Sequence, residues 1–185
     1  MIPNNLVWHD VHNIVPHRSP MLFVEQACLL NSKEAIVKTT VNPSWAVLNG
    51  EETLPEAVFF EIMAQGYAAM AGLFFLQTGQ ELKKLKGQET QIPEEQISRT
   101  QAPGDLKNQQ APLGFLVGLK KVKIFGTAKT GDQLLIKIHT RLQLDEFAVV
   151  DGEVLRNEEL LAQGQIKIFT PNPKMLSSLN VELEV

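Results

Sequence analysis

Apolar positions along the chain fall into one long block and several short alternating ones. In residues 57–75 the only polar side chains of an otherwise apolar run are Glu61 and Gln65. A helix that is apolar on nearly every side is a buried one. Thr53 and Glu56 have the spacing of a capping box, and Pro55 suits a first helical turn, so the pattern predicts a helix from about 54 to 77. Gly66, Ala68, Ala69, Ala71 and Gly72 would let a sheet approach it closely. About 20 apolar residues are also enough to cross a bilayer. The two polar groups and the charged, strand-rich remainder argue against a membrane span.

The remaining blocks read as strands. Residues 21–30 and 35–41 form a candidate hairpin through the turn residues Asn31, Ser32 and Lys33, and 115–125, 133–144, 147–155 and 160–169 are four further candidates. Alternation is clearest around Ile136, Ile138, Thr140 and Leu142 on one face, with Lys137, His139 and Arg141 on the other. Gly131-Asp132 and Asp151-Gly152 supply turn chemistry. A short amphipathic helix is expected to begin near Trp8 and to carry His9 and His12. Two strands, one buried helix and four strands predict an α+β domain spanning 1–185, with an antiparallel sheet of about six strands wrapped around a long central helix. Residues 78–112 are rich in Gln, Glu, Pro and Lys and predict a polar, mobile excursion.

Composition narrows the function classes. The chain of 185 residues is 44% hydrophobic and 21% charged, ordinary usage for a soluble domain, and a formal net charge of −4 gives no reason to expect nucleic acid as a partner. The first residues lack the basic and apolar regions of a signal peptide, which predicts a cytoplasmic protein. Cys28 is the single cysteine, so it forms no internal disulfide and no cysteine-rich metal site; it reads as a small core residue. His9 and His12 have no evident third ligand and read as solvated. With no nucleotide, flavin or metal motif, no cofactor and no metal are expected.

The candidate chemistry sits on the helix. A carboxylate among Phe59, Phe60, Ile62 and Met63 needs partners arranged around it, which makes Glu61 a site candidate or else a structural acid holding nearby backbone. Gln65, four residues on, shares its face and reads more readily as a structural hydrogen-bonder. His17 either ties down the N-terminal segment with Arg18 or supplies a second functional group. Lys120, Lys121 and Lys123 read as a solvated strand face that an acidic carrier protein would also suit.

Two motifs carry a resemblance. Pro16, His17, Arg18, Ser19, Pro20, Met21, Leu22, Phe23, Val24 and Glu25 resemble the N-terminal signature of hotdog-fold β-hydroxyacyl-acyl-carrier-protein dehydratases, and 55–65 resembles their central helix. Residues 114–119 and 131–134 are similar to segments of the dehydratases of aryl polyene clusters. The resemblance implies a hotdog fold, a homodimer with acyl sites between protomers, and an acyl-pantetheine thioester substrate on acyl carrier protein or coenzyme A. It implies a catalytic role for Glu61; Glu61 alone or with His17 as a second catalytic group would carry the chemistry, and the candidate substrate-binding residues are Gln65, Gly50, Pro55, Glu56 and Ala57. Helix N-terminal N–H groups would polarise the thioester carbonyl while Glu61 exchanges protons in the elimination of water. One position departs from the pattern: the family's loop histidine falls on Val47. That departure keeps open two alternatives, a hotdog thioesterase and a non-catalytic acyl-thioester-binding subunit.

Overall fold

The structure, a computed structural model, describes residues 5–87 and 114–172. Seven strands form one antiparallel sheet in the order β1-β2-β3-β5-β6-β7-β4. They are β1 (His9–Asp10), β2 (Gln26–Asn31), β3 (Glu34–Thr40), β4 (Phe115–Ile124), β5 (Gln133–Leu144), β6 (Phe147–Arg156) and β7 (Glu159–Phe169), and the helix α1 (Val58–Gly87) lies between β3 and β4 in sequence. The sheet holds α1 against β2, β3, β5, β6 and β7. This is the hotdog arrangement, a long helix wrapped by a sheet, with one strand more than expected.

The additional strand corrects the N-terminal expectation. His9 pairs with Ala27 in β1, so no helix begins at Trp8; a turn follows, in which the Asp10 carboxylate accepts the His12 N–H at 2.7 Å. Val11 and Val15 are buried there, which explains why the segment shows an apolar spacing that mimics a helix.

The helix starts later than its capping pattern predicts. Thr53 is bridged to Lys129, and the Leu54 N–H donates to the Ala128 carbonyl, so both residues are held in strand-like pairing. The N–H groups of Val58, Phe59 and Phe60 donate instead to the carbonyls of Pro55, Glu56 and Ala57, a tight entry turn made of three-residue bonds. At the other end α1 runs through Gly87, ten residues into the expected excursion; 88–112 lie outside the described residues. By composition, Val58–Gly79 is long and apolar enough to cross a membrane, and 67% of its most apolar window is buried inside this fold.

Close packing fixes how the helix meets the sheet. Phe59, Ile62 and Met63 are fully covered, and a Cβ on Gly66 would stand 3.3 Å from Ile138. Gly152, expected in a turn with Asp151, lies inside β6 opposite Gly164, where a Cβ would fall 2.6 Å from the Met63 sulfur. The turns fall elsewhere: Asp145 has φ 46° between β5 and β6, and Asn157 and Glu158 take φ 48° and 72° between β6 and β7. Leu142 also leaves its predicted face, because a bulge between Thr140 and Leu142 turns it outward. Residues 21–25 precede β2 as a non-strand segment whose course is set by α1.

Candidate functional site

Gln65 is the junction between that segment and the helix. Its side chain is 1% exposed; Oε1 accepts the Phe23 N–H at 2.8 Å, while Nε2 donates to the Met21 carbonyl at 2.9 Å and to Glu61 Oε1 at 3.0 Å. Its amide is committed to positioning. Arg18 secures the preceding stretch, donating to the carbonyls of Val15 and His17 at 2.8 Å each. The backbone of the segment is thus anchored by Gln65 and Arg18, and the ring of His17 is left to face α1.

His17 Nε2 stands 3.4 Å from Glu61 Oε1, and each side chain is 33% exposed. Glu61 is therefore not sealed in the core as its apolar neighbours suggest: Phe59, Ile62 and Met63 point into the sheet, whereas Glu61 faces a cavity. Its Oε1 meets both His17 and Gln65, while Oε2 has no partner among the described residues. The His17 Nδ1 is buried without a partner among the described residues, and Nε2 is the ring nitrogen that approaches Glu61.

His17, Glu61 and Gln65 line one cavity of about 410 Å³. It is lined on α1 by Ala64, Ala68 and Ala71, on the strands by Phe115, Leu116, Phe147 and Ile168, and at the β5–β6 turn by Asp145 and Glu146. Tyr67 also lines it, and burial pushes its phenol pKa up, keeping the hydroxyl protonated. Ala68 and Ala71 line this space, whereas Gly66, Ala69 and Gly72 are the small residues of the run buried in the fold. Phe147, Asp145 and Glu146 escaped sequence reasoning because a strand end and its turn give no signal of what they overhang.

The other implied binding residues are not in this cavity. Pro55, Glu56 and Ala57 are exposed at the helix entrance, and Gly50 (φ 87°) lines a separate hollow with Glu51 and Lys129. Because the N–H groups of Val58 to Phe60 are used in the entry turn, those of Glu56 and Ala57 are the ones without acceptors among the described residues. Val47 lies in the 3₁₀ turn Ala46–Leu48 and packs against the core. Among the described residues, no group of three His, Cys, Asp or Glu side chains could hold a metal ion.

A long helix wrapped by an antiparallel sheet, with the helix acid opening on a cavity, defines a hotdog-fold protein. Comparison with known families agrees: the sequence matches the ApeP-like family (ApeP dehydratase) over residues 9–84 and 101–180, and the chain belongs to that family. Among solved structures, the dehydratase heterocomplex ApeI:P from Xenorhabdus doucetiae is similar with a TM-score of 0.67 at 22% identity, covering 92% of this chain and 97% of that one. An uncharacterized protein, PH1136 from Pyrococcus horikoshii, gives a TM-score of 0.52 at 16% identity over 95% and 99% of the two chains. A hypothetical thioesterase with coenzyme A from Streptococcus pneumoniae TIGR4 gives 0.46 at 15% identity over 77% and 81%. No curated protein matches the sequence.

Proposed function

We propose that the protein eliminates water from a 3-hydroxyacyl thioester, with Glu61 and His17 as its acid–base pair. The observation that carries this is the 3.4 Å approach of His17 Nε2 to Glu61 Oε1 at a cavity of about 410 Å³, in a chain that has Val47 where the family's loop histidine falls. Glu61 takes the Cα proton on Oε2, the electron pair forms the Cα–Cβ double bond, and the Cβ–O bond breaks. His17 delivers the proton that lets the hydroxyl leave as water. Glu61 Oε2 then gives up its proton to solvent through the open cavity and His17 Nε2 takes one up, restoring the pair. Gln65 holds Glu61 Oε1 and so orients the free oxygen; it positions the reaction without taking a proton.

The substrate in this account is an acyl-pantetheine thioester, free or on an acyl carrier protein, and the protein works in the cytoplasm with a second hotdog subunit, a copy of itself, along β4. Support for the partner comes from β4, the sheet's terminal strand, which exposes Val117, Leu119 and Val122, with Phe125 exposed just past its end. Such a partner is also what would bring a thioester to the free N–H groups of Glu56 and Ala57. A second reading, a non-catalytic binding subunit, is favoured by the apolar packing of Val47. Product analysis separates these two from each other and from a thioesterase: a lyase yields enoyl thioester, a thioesterase free thiol, and a binding subunit neither.

A further inference from the structure

Glu61, Ala64, Ala68 and Ala71 recur every three or four residues and occupy one face of α1. All four are half-buried and line the cavity, while Ile62, Met63, Ala69 and Met70 between them are buried. From Glu61 to Ala71 is ten residues, about 15 Å of helix. Phe115 and Phe147 line the same cavity, as do two carboxylates of the β5–β6 turn, Asp145 and Glu146, taken as its far end. The Glu146 carboxylate is already fastened, accepting from the Asn172 side chain at 2.8 Å.

Resting on the reaction proposed above, we infer that the acyl chain lies along Ala64, Ala68 and Ala71, that Ala68 sets the depth it can reach, and that the acidic far end selects uncharged chains over chains ending in a carboxylate. The argument is steric and electrostatic. A side chain larger than a methyl at residue 68 would close the space between α1 and the Phe115–Phe147 wall roughly halfway along. A terminal carboxylate that reached this turn would meet the exposed Asp145 and the half-buried Glu146 as like charges. Each methylene that enters the apolar part improves binding by up to about fourfold, so chain length is read as affinity.

The test measures binding and turnover separately, so that failure of catalysis does not obscure it. Non-reactive acyl-pantetheine amides with butyryl, octanoyl, dodecanoyl and terminally carboxylated dodecanoyl groups are titrated against wild type, Ala68→Phe, Ala71→Phe and Asp145→Asn/Glu146→Gln; 3-hydroxyacyl thioesters of the same lengths are assayed in parallel. Expected in wild type are tighter binding with length and at least tenfold weaker binding of the carboxylated chain. Ala68→Phe should abolish the gain from butyryl to dodecanoyl, Ala71→Phe should remove only the last part of it, and the double variant should narrow the carboxylate penalty. Thermal melts confirm folding, and Ala68→Leu replaces Ala68→Phe where the latter fails to fold. Length-independent binding, or a loss in Ala68→Phe that is equal for butyryl and dodecanoyl, would overturn the inference. Length-dependent binding without enoyl product would retain it and reject the proposed reaction instead.

Discussion

His17 Nε2 and Glu61 Oε1 stand 3.4 Å apart, and Gln65 Nε2 donates to the same carboxylate oxygen at 3.0 Å, leaving Glu61 Oε2 without a partner among the described residues. The Gln65 hydrogen bond orients the carboxylate, and the partly exposed His17–Glu61 pair is open to the cavity. His17→Ala removes the second proton carrier of the proposed reaction. It should fold with an unchanged melting temperature and lose roughly 10²–10⁴ in turnover, the range of general acid–base catalysis. A lower melting temperature with turnover retained would assign His17 to structure.

Gln65 gives the opposite balance of effects. Gln65→Leu leaves the Phe23 N–H and the Met21 carbonyl without their partners, at about 1–3 kcal/mol for each buried group left unpaired. Denaturant melts should show that loss of stability, and turnover should fall with it because the 16–25 segment no longer presents His17. Unaltered stability would mean that the segment is held by its other contacts, the Ala46–Pro20 and Glu25–Lys38 backbone bonds and the burial of Phe23 and Val24.

Met63 and Gly152 form a packing pair that is independent of the chemistry. Gly152→Ala places a methyl within 2.6 Å of the Met63 sulfur, an overpacking that costs about 1–3 kcal/mol. Combining it with Met63→Ala should cost less than the sum of the single changes, a coupling that a double-mutant cycle measures. Additive effects would show that Met63 moves aside freely.

The same pair marks a limit of what the sequence conveys. Residues 151–152 have turn chemistry, yet Gly152 serves an interior contact, and only the position of Met63 across the sheet decides between the two. The capping pattern at Thr53 and Glu56 fails for a related reason: Thr53 and Leu54 pair with 128–129, a long-range partner that outweighs local preference. Strands with strong alternation, β5 above all, and the apolar run of α1 were legible because one buried face dictates their period. Of the site, Glu61, Gln65 and His17 could be named from motif and burial, and the structure brings those three together. The cavity wall at Phe147 and the acidic turn could not, since they depend on where a hairpin ends.

Acid should weaken a second contact far from the site. Burial works against the charge on Asp132, but the Lys129 N–H at 3.0 Å and Arg156 at 2.8 Å outweigh it and hold the carboxyl below its ordinary range. A depressed folded-state value stabilises the protein above the unfolded carboxyl pKa of about 4. The stabilisation is lost as pH falls from there through the lower folded value. Asp132→Asn should therefore melt below wild type at neutral pH, and the two curves should converge under acid conditions. A gap that stays constant across pH would assign the effect to geometry rather than charge.

The edge strand β4 tests the proposed assembly. Val117→Glu with Leu119→Glu places two charges on exposed apolar positions of the terminal strand. Sedimentation should shift from dimer to monomer, with turnover falling as the entrance-turn N–H groups lose their counterpart. A wild-type protein that sediments as a monomer at micromolar concentration would remove the partner from the account.

The central claim is that Glu61 and His17 carry out an elimination, and the most direct measurement follows both products from a 3-hydroxyacyl-pantetheine thioester in one reaction. Wild type should form enoyl thioester without releasing thiol, and Glu61→Gln should keep the fold and acyl binding while turnover drops by roughly 10²–10⁴. Thiol release by wild type, or acyl binding with neither product, would contradict the claim.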